Sequence, residues 1–147
     1  MTEEDLLAVM KHPHTVMTFS DTGAHVSQIA DSCIQTHLLA YWAREKGAFT
    51  TEEAVQMITA VPAAAWGFTE RGLLREGMIA DINLIELDRL NPGMPQAVRD
   101  LPGGAQRVIM KPEGVRATIV AGEVVIDNGE HSGALPGRLL RRRPSAE

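Results

Sequence analysis

Cysteine occurs once in the 147 residues, at Cys33, so no disulfide can form within the chain. That usage fits a reducing compartment and leads to the expectation of a cytoplasmic protein. An excess of positive charge is missing as well: 14 Lys and Arg stand against 19 Asp and Glu, a net charge of -5. Phosphate-backbone binding needs a dominant basic surface, so nucleic acid is excluded as the expected partner. The one basic run, Arg138 to Arg143, reads as a solvated tail. No apolar stretch approaches the ~18 to 20 residues of a membrane span, so no membrane partner is expected. The acidic opening Met1 to Pro13 lacks the apolar core of a signal peptide. Cysteine clusters, a glycine-rich phosphate loop and a nucleophile elbow are absent, as are internal repeats.

What remains is a chain with 44% hydrophobic and 22% charged residues, the composition of a folded domain with a core. Thr2 can cap a helix running to about Lys11, with Glu3, Glu4 and Asp5 in its first turn. Pro13 ends it. Thr15 to Phe19 is β-branched and apolar and predicts a short buried strand, followed by the polar loop Ser20 to His25. A helix is predicted from Ser27 to Lys46, with Ile29, Cys33, His37, Ala40 and Tyr41 on one stripe and Gly47 as its stop. Thr50 and Glu53 form a capping box for a helix with Ala54, Val55, Met57 and Ile58 inward. Pro62 fits the first turn of a short helix, Ala63 to Trp66, closed by Gly67.

Past Gly67 the helical period disappears. Strands are predicted at Asp81 to Ile85, Arg107 to Met110, Val115 to Val120 and Glu123 to Ile126. Ala121-Gly122 makes a hairpin between the last two, and Asn128-Gly129 is a second turn signal. Leu90 to Gly104, with three Pro and three Gly, reads as a long surface loop. The layout divides into residues 1–67 and 68–147. One strand, two or three helices and then a small β unit resembles the end of a βα series more than a complete fold.

Few residues could carry chemistry. Asp21 follows the apolar run directly, and polar residues at strand ends line the mouths of α/β barrels. A carboxylate there can bind a divalent metal and accept a proton from an attacking water. The competing reading, on spacing alone, is that Ser20 or Asp21 caps the next helix. His25 could hold a substrate carboxylate or act only as a surface hydrogen-bonder. His12 and His14 have the spacing of a zinc-binding pair, but Pro13 separates them and they precede the strand, which favours an incidental role. His37 and Cys33 read as packing residues.

Several segments together resemble a known family. Phe19-Ser20-Asp21-Thr22-Gly23-Ala24-His25 is similar to the strand-8 segment of the amidohydrolase superfamily, in its N-acyl-D-amino-acid deacylase (D-aminoacylase) branch. Thr51 to Val55, Thr59 to Ala63 and Trp66-Gly67 resemble the helix pair that follows. Gly72 to Ile82 resembles the family's G-x-L-x-x-G-x-x-A-D signature at the entry to a β-sandwich, and Gly129 to Arg138 resembles the branch's closing segment. The resemblance covers about His12 to Arg141.

It implies a mixed α/β chain holding the last βα unit or units of a TIM-type barrel followed by part of a small β-sandwich. It implies Asp21 as metal ligand and general base, with Ser20, Gly23 and His25 on the substrate. The complete enzyme would use zinc or another divalent metal to hydrolyse a small N-acyl amino acid at a non-peptide C–N bond. The family's other ligands have no counterpart here, and a complete barrel takes roughly 250 residues. One Asp cannot make the three or so protein ligands of a catalytic zinc. The expectation is therefore a fragment that is inactive and binds no metal tightly alone. The alternative is a non-catalytic interaction domain built from the same pieces. Exposed strand edges and an uncovered helix stripe lead to the further expectation of a homo-oligomer, a dimer.

Overall fold

The N-terminal helix shows how local chemistry sets the elements in the computed structural model, which describes residues 1–141. In α1 (Glu3–Met10) the Asp5 N–H donates to Thr2 Oγ1 at 3.2 Å, and the Asp5 carboxylate accepts the Thr2 N–H at 2.7 Å. Two orphan donors are satisfied reciprocally. The same box opens α3 (Thr51–Ile58) through Thr50 and Glu53. Between them, α2 (Ile34–His37) runs directly into a π-helical segment, Leu38–Glu45. After α3 comes α4 (Ala60–Trp66), ended by Gly67 at φ 74°.

The remaining elements are strands and two short helical turns, Leu87–Arg89 and Pro102–Gly104. A four-stranded antiparallel sheet has the order β1 (Ile82–Ile85), β4 (Val115–Val120), β5 (Glu123–Asp127), β6 (Glu130–His131). A separate ribbon pairs β2 (Gln96–Val98) with β3 (Arg107–Ile109). Two-residue turns join β4 to β5 and β5 to β6. Both residues of each turn, Ala121-Gly122 and Asn128-Gly129, have positive φ, which matches the right-handed twist of the strands they link.

The core forms where these two halves meet. Leu38, Leu39, Trp42 and Ala43 of the π-helical segment cluster with Phe49, Ala54 and Leu90. Leu38 and Leu90 are the largest side chains withdrawn fully from solvent. Arg44 seals the junction: its Nη1 donates to the carbonyls of Leu87 and Leu90, both at 2.7 Å. Charged donors of this kind make strong bonds to backbone carbonyls. Tyr41 and Lys46 hold α1 against the same segment through Glu3, at 2.7 and 3.0 Å.

Several sequence-based expectations are corrected. Thr15 to Phe19 is not a strand: no described strand lies alongside to take its backbone bonds, and Phe19 is 76% exposed. The helix predicted from Ser27 begins at Ile34. The Val26 carbonyl, which a helix would pair with residue 30, is taken by the Val108 N–H of β3 at 2.8 Å, so the segment turns instead. Val55 faces outward, because it lies about 100° round α3 from the buried Ala54. Helix α4 starts three residues earlier than expected, with Pro62 still in its first turn. The predicted loop Leu90 to Gly104 hides a core residue at its start and contains β2.

Ten hydrophobic residues are buried among the described residues, and the chain exposes 10591 Å². A compact monomer of 16.0 kDa exposes about 7,400 Å², so this fold leaves much of its apolar surface uncovered. Leu73, Leu74 and Trp66 are all more than half exposed.

Truncating the junction residue tests whether the halves share a core. Leu90→Ala is expected to lower unfolding free energy by about 2 to 5 kcal/mol, measured by chemical denaturation. A change near zero would show that the helical and strand halves are held together by something else.

Candidate functional site

Residues 20–31 form a loop held by its own polar groups. Ser20 Oγ accepts the Thr22 N–H at 3.2 Å, and the Asp21 carbonyl accepts the Ala24 N–H at 3.0 Å. His25, at φ 51°, takes the Gln28 and Ile29 N–H groups on its carbonyl at 2.7 and 3.2 Å. Thr22 Oγ1 donates to Asp31 Oδ1 at 2.5 Å, tying the loop's two ends together. That hydroxyl holds the Asp31 carboxyl below the usual carboxylate range, opposed by partial desolvation and helped by the Asp31 and Asp21 N–H groups and Ser20. The Val108 N–H anchors the loop to β3 through Val26, and Gln35 Nε2 reaches back to the Thr18 carbonyl at 3.1 Å.

Of the four site residues named from sequence, Asp21, Gly23 and His25 are exposed and Ser20 is half-buried. All four lie in one loop. No helix follows directly for Asp21 to cap, and its carboxylate takes no hydrogen bond from the described residues. The carboxylate is therefore presented to solvent, not consumed locally. Asp31 escaped the sequence reading because its partner is nine residues away; the loop's closure was its only available signal.

His12 and His14 are exposed, with rings 5.4 Å apart, and His12 Nδ1 is occupied by the His14 N–H. His37 is half-buried and stacks on Tyr41 at 4.9 Å, in keeping with a packing role. Among the described residues, no three His, Cys, Asp or Glu side chains converge where a cation could sit. The donor set on this chain does not fit a complete metal centre. An apolar cleft of about 630 Å³ lies elsewhere, between α3 and the segment leading into β1, lined by Val55, Leu73, Leu74, Ile79 and Ile82. None of Ser20, Asp21, Gly23 or His25 lines it.

The Gly72 to Ile82 signature is a structural bracket. A Cβ on Gly72 would meet Ala63 Cβ at 2.7 Å and the Thr59 carbonyl at 3.0 Å, so only glycine lets the chain pass so close to α4. The Ala80 carbonyl accepts the Gly122 N–H at 3.0 Å. Asp81 accepts the Ala121 N–H at 2.9 Å and is ion-paired with Arg71, which also lies beside Glu70. The signature thus fastens the β4–β5 hairpin to the strand-entry segment.

The model of the amidohydrolase family, Amidohydro_3, matches residues 4–126. The chain belongs to the amidohydrolase family, and within it to the D-aminoacylase-like proteins. It is 32% identical over 145 residues to an N-acyl-D-aspartate deacylase from Alcaligenes xylosoxydans xylosoxydans, covering 95% of this chain and 26% of that protein. An N-acyl-D-glutamate deacylase from the same organism is 33% identical over 110 residues, covering 75% of this chain and 20% of that protein. Among solved structures, a D-aminoacylase point variant in complex with copper chloride superposes with a TM-score of 0.59 at 25% identity, over 74% of this chain and 21% of that one. Another D-aminoacylase, described with a binuclear metal centre, shares the fold at a TM-score of 0.54 and 23% identity, over 68% of this chain and 19% of that one. The chain spans about a quarter of the length of the N-acyl-D-aspartate deacylase and a fifth of the other.

If Asp81 is the tie of this bracket, Asp81→Ala should cost about 1 to 3 kcal/mol of unfolding free energy by removing one of Arg71's two carboxylate partners and freeing the Ala121 N–H. Protection of the β4–β5 amides against hydrogen exchange should fall with it. Unchanged protection would show that the hairpin stands without Asp81.

Proposed function

We propose that this chain supplies the Asp21 loop of a metal-dependent amidohydrolase that cleaves N-acyl amino acids, with N-acyl-D-aspartate and N-acyl-D-glutamate as the substrate class. The observation that carries the reading is the free, solvent-facing carboxylate of Asp21 on an internally braced loop, in a chain similar along 95% of its length to such a deacylase. In this role Asp21 takes a proton from water as the water oxygen bonds to the acyl carbon. The C–N bond then breaks, and the proton passes to the departing amine. His25, Ser20 and Gly23 border the position a substrate would take. On this reading residues 1–67 end a TIM-type barrel and the second part, 68–147, carries part of a β-sandwich and a tail whose residues 142–147 lie outside the described residues. The remaining metal ligands come from outside this chain, zinc being the proposed ion, and the chain alone is inactive.

The second reading, an interaction domain that works as a homodimer, draws on the excess surface described above and on the exposed Leu73, Leu74 and Trp66.

A chimera separates the two. Replacing the matched quarter of the N-acyl-D-aspartate deacylase with this chain should retain hydrolysis of N-acyl-D-aspartate. Asp21→Asn should then cut it by about 10²- to 10⁴-fold. This chain alone should show no turnover with or without added zinc. A folded chimera indifferent to Asp21→Asn would remove the catalytic role. Light scattering on the isolated chain should give a dimer mass; a monodisperse monomer would count against self-association.

A further inference from the structure

The assignment of Asp21 as a base leaves open what holds it still. A carboxylate that must meet water and an amide carbon at the same instant needs a fixed backbone, because small misplacements cost large factors in rate. Yet Asp21 sits on an exposed loop with no strand beneath it. Its immediate bonds are short-range turns, Thr22 to Ser20 and Ala24 to Asp21, which set local shape; the loop's tie to β3, from Val108 to Val26, lies further along the chain.

We propose, resting on that assignment, that Asp31 is the positioning residue of the site: its carboxylate, bonded to the Thr22 hydroxyl, holds the Asp21 backbone in place. Two observations support it. The bond spans nine residues at 2.5 Å, so it closes the loop across its base. Asp31 lies just ahead of α2, whose continuation carries the buried Leu38 and Leu39, so its backbone is referred to the core. Asp31 acts through Asp21 and touches no substrate.

The test is backbone ¹⁵N relaxation on the intact chain. Order parameters of Asp21 to Ala24 are expected near the rigid value of about 0.85 and to fall below about 0.6 in Asp31→Ala and in Thr22→Val. Thr22→Ser, which keeps the hydroxyl, should restore them, and α3 and β4 should be unchanged in every variant. A loop that stays rigid in Asp31→Ala, or that Thr22→Ser fails to rescue, overturns the proposal. Asp21→Asn in the chimera tests the catalytic reading by a separate measurement, so the failure of one is distinguishable from the failure of the other.

Discussion

The structure depends on one junction, the burial of Leu90 in the cluster formed by Leu38, Leu39, Trp42 and Ala43. The helical half packs Phe49 and Ala54 against the apolar face of the π-helical segment. The strand half delivers Leu90 and, just before it, a short helical turn whose carbonyls need donors. Arg44 supplies them, so the apolar contact and the polar closure come from the same segment. Gly114 belongs to this junction too: a Cβ there would meet the Leu90 backbone at 2.7 Å, so only a residue without one lets β4 begin so close.

Beyond that junction the fold is open. Ten buried hydrophobic residues and 10591 Å² of surface describe a chain that hides less than its mass would allow. The apolar cleft beside α3 and the uncovered Leu73, Leu74 and Trp66 belong to this unsatisfied area. The family signature lies between the cleft and the hairpin. Its glycine passes closely over α4, its alanine offers a carbonyl to Gly122, and its aspartate ties Arg71 and Ala121 together. These residues preserve an architecture. The loop proposed for the chemistry is a different one, and the two are joined only through the fold.

That loop was partly legible. The run Phe19 to His25 pointed to Asp21, Gly23 and His25, because a family pattern is local and contiguous. Asp31 was invisible to such reading: a carboxylate nine residues off gains meaning only when the chain turns back on itself. The same cause explains the lost strand and the late helix. Thr15 to Phe19 has strand-forming residues, but propensity cannot provide a neighbouring strand. Ser27 to Cys33 has helical periodicity, but a single bond from Val108 to the Val26 carbonyl redirects it. Zinc-pair spacing at His12 and His14 likewise meant little once the His14 N–H had taken one imidazole nitrogen.

From the sequence by itself came the features whose physics is confined to a few neighbouring residues: the Thr2 cap, the Thr50–Glu53 capping box, the Gly47 and Gly67 stops, the Ala121-Gly122 and Asn128-Gly129 turns, and the strands β1, β3, β4 and β5. Only the tertiary structure decided that Leu90 is core, that Gln96–Val98 pairs as a strand, that Val55 faces solvent and that Asp31 braces the Asp21 loop. Each of these is settled by a partner distant in sequence, and no local preference encodes which partner arrives.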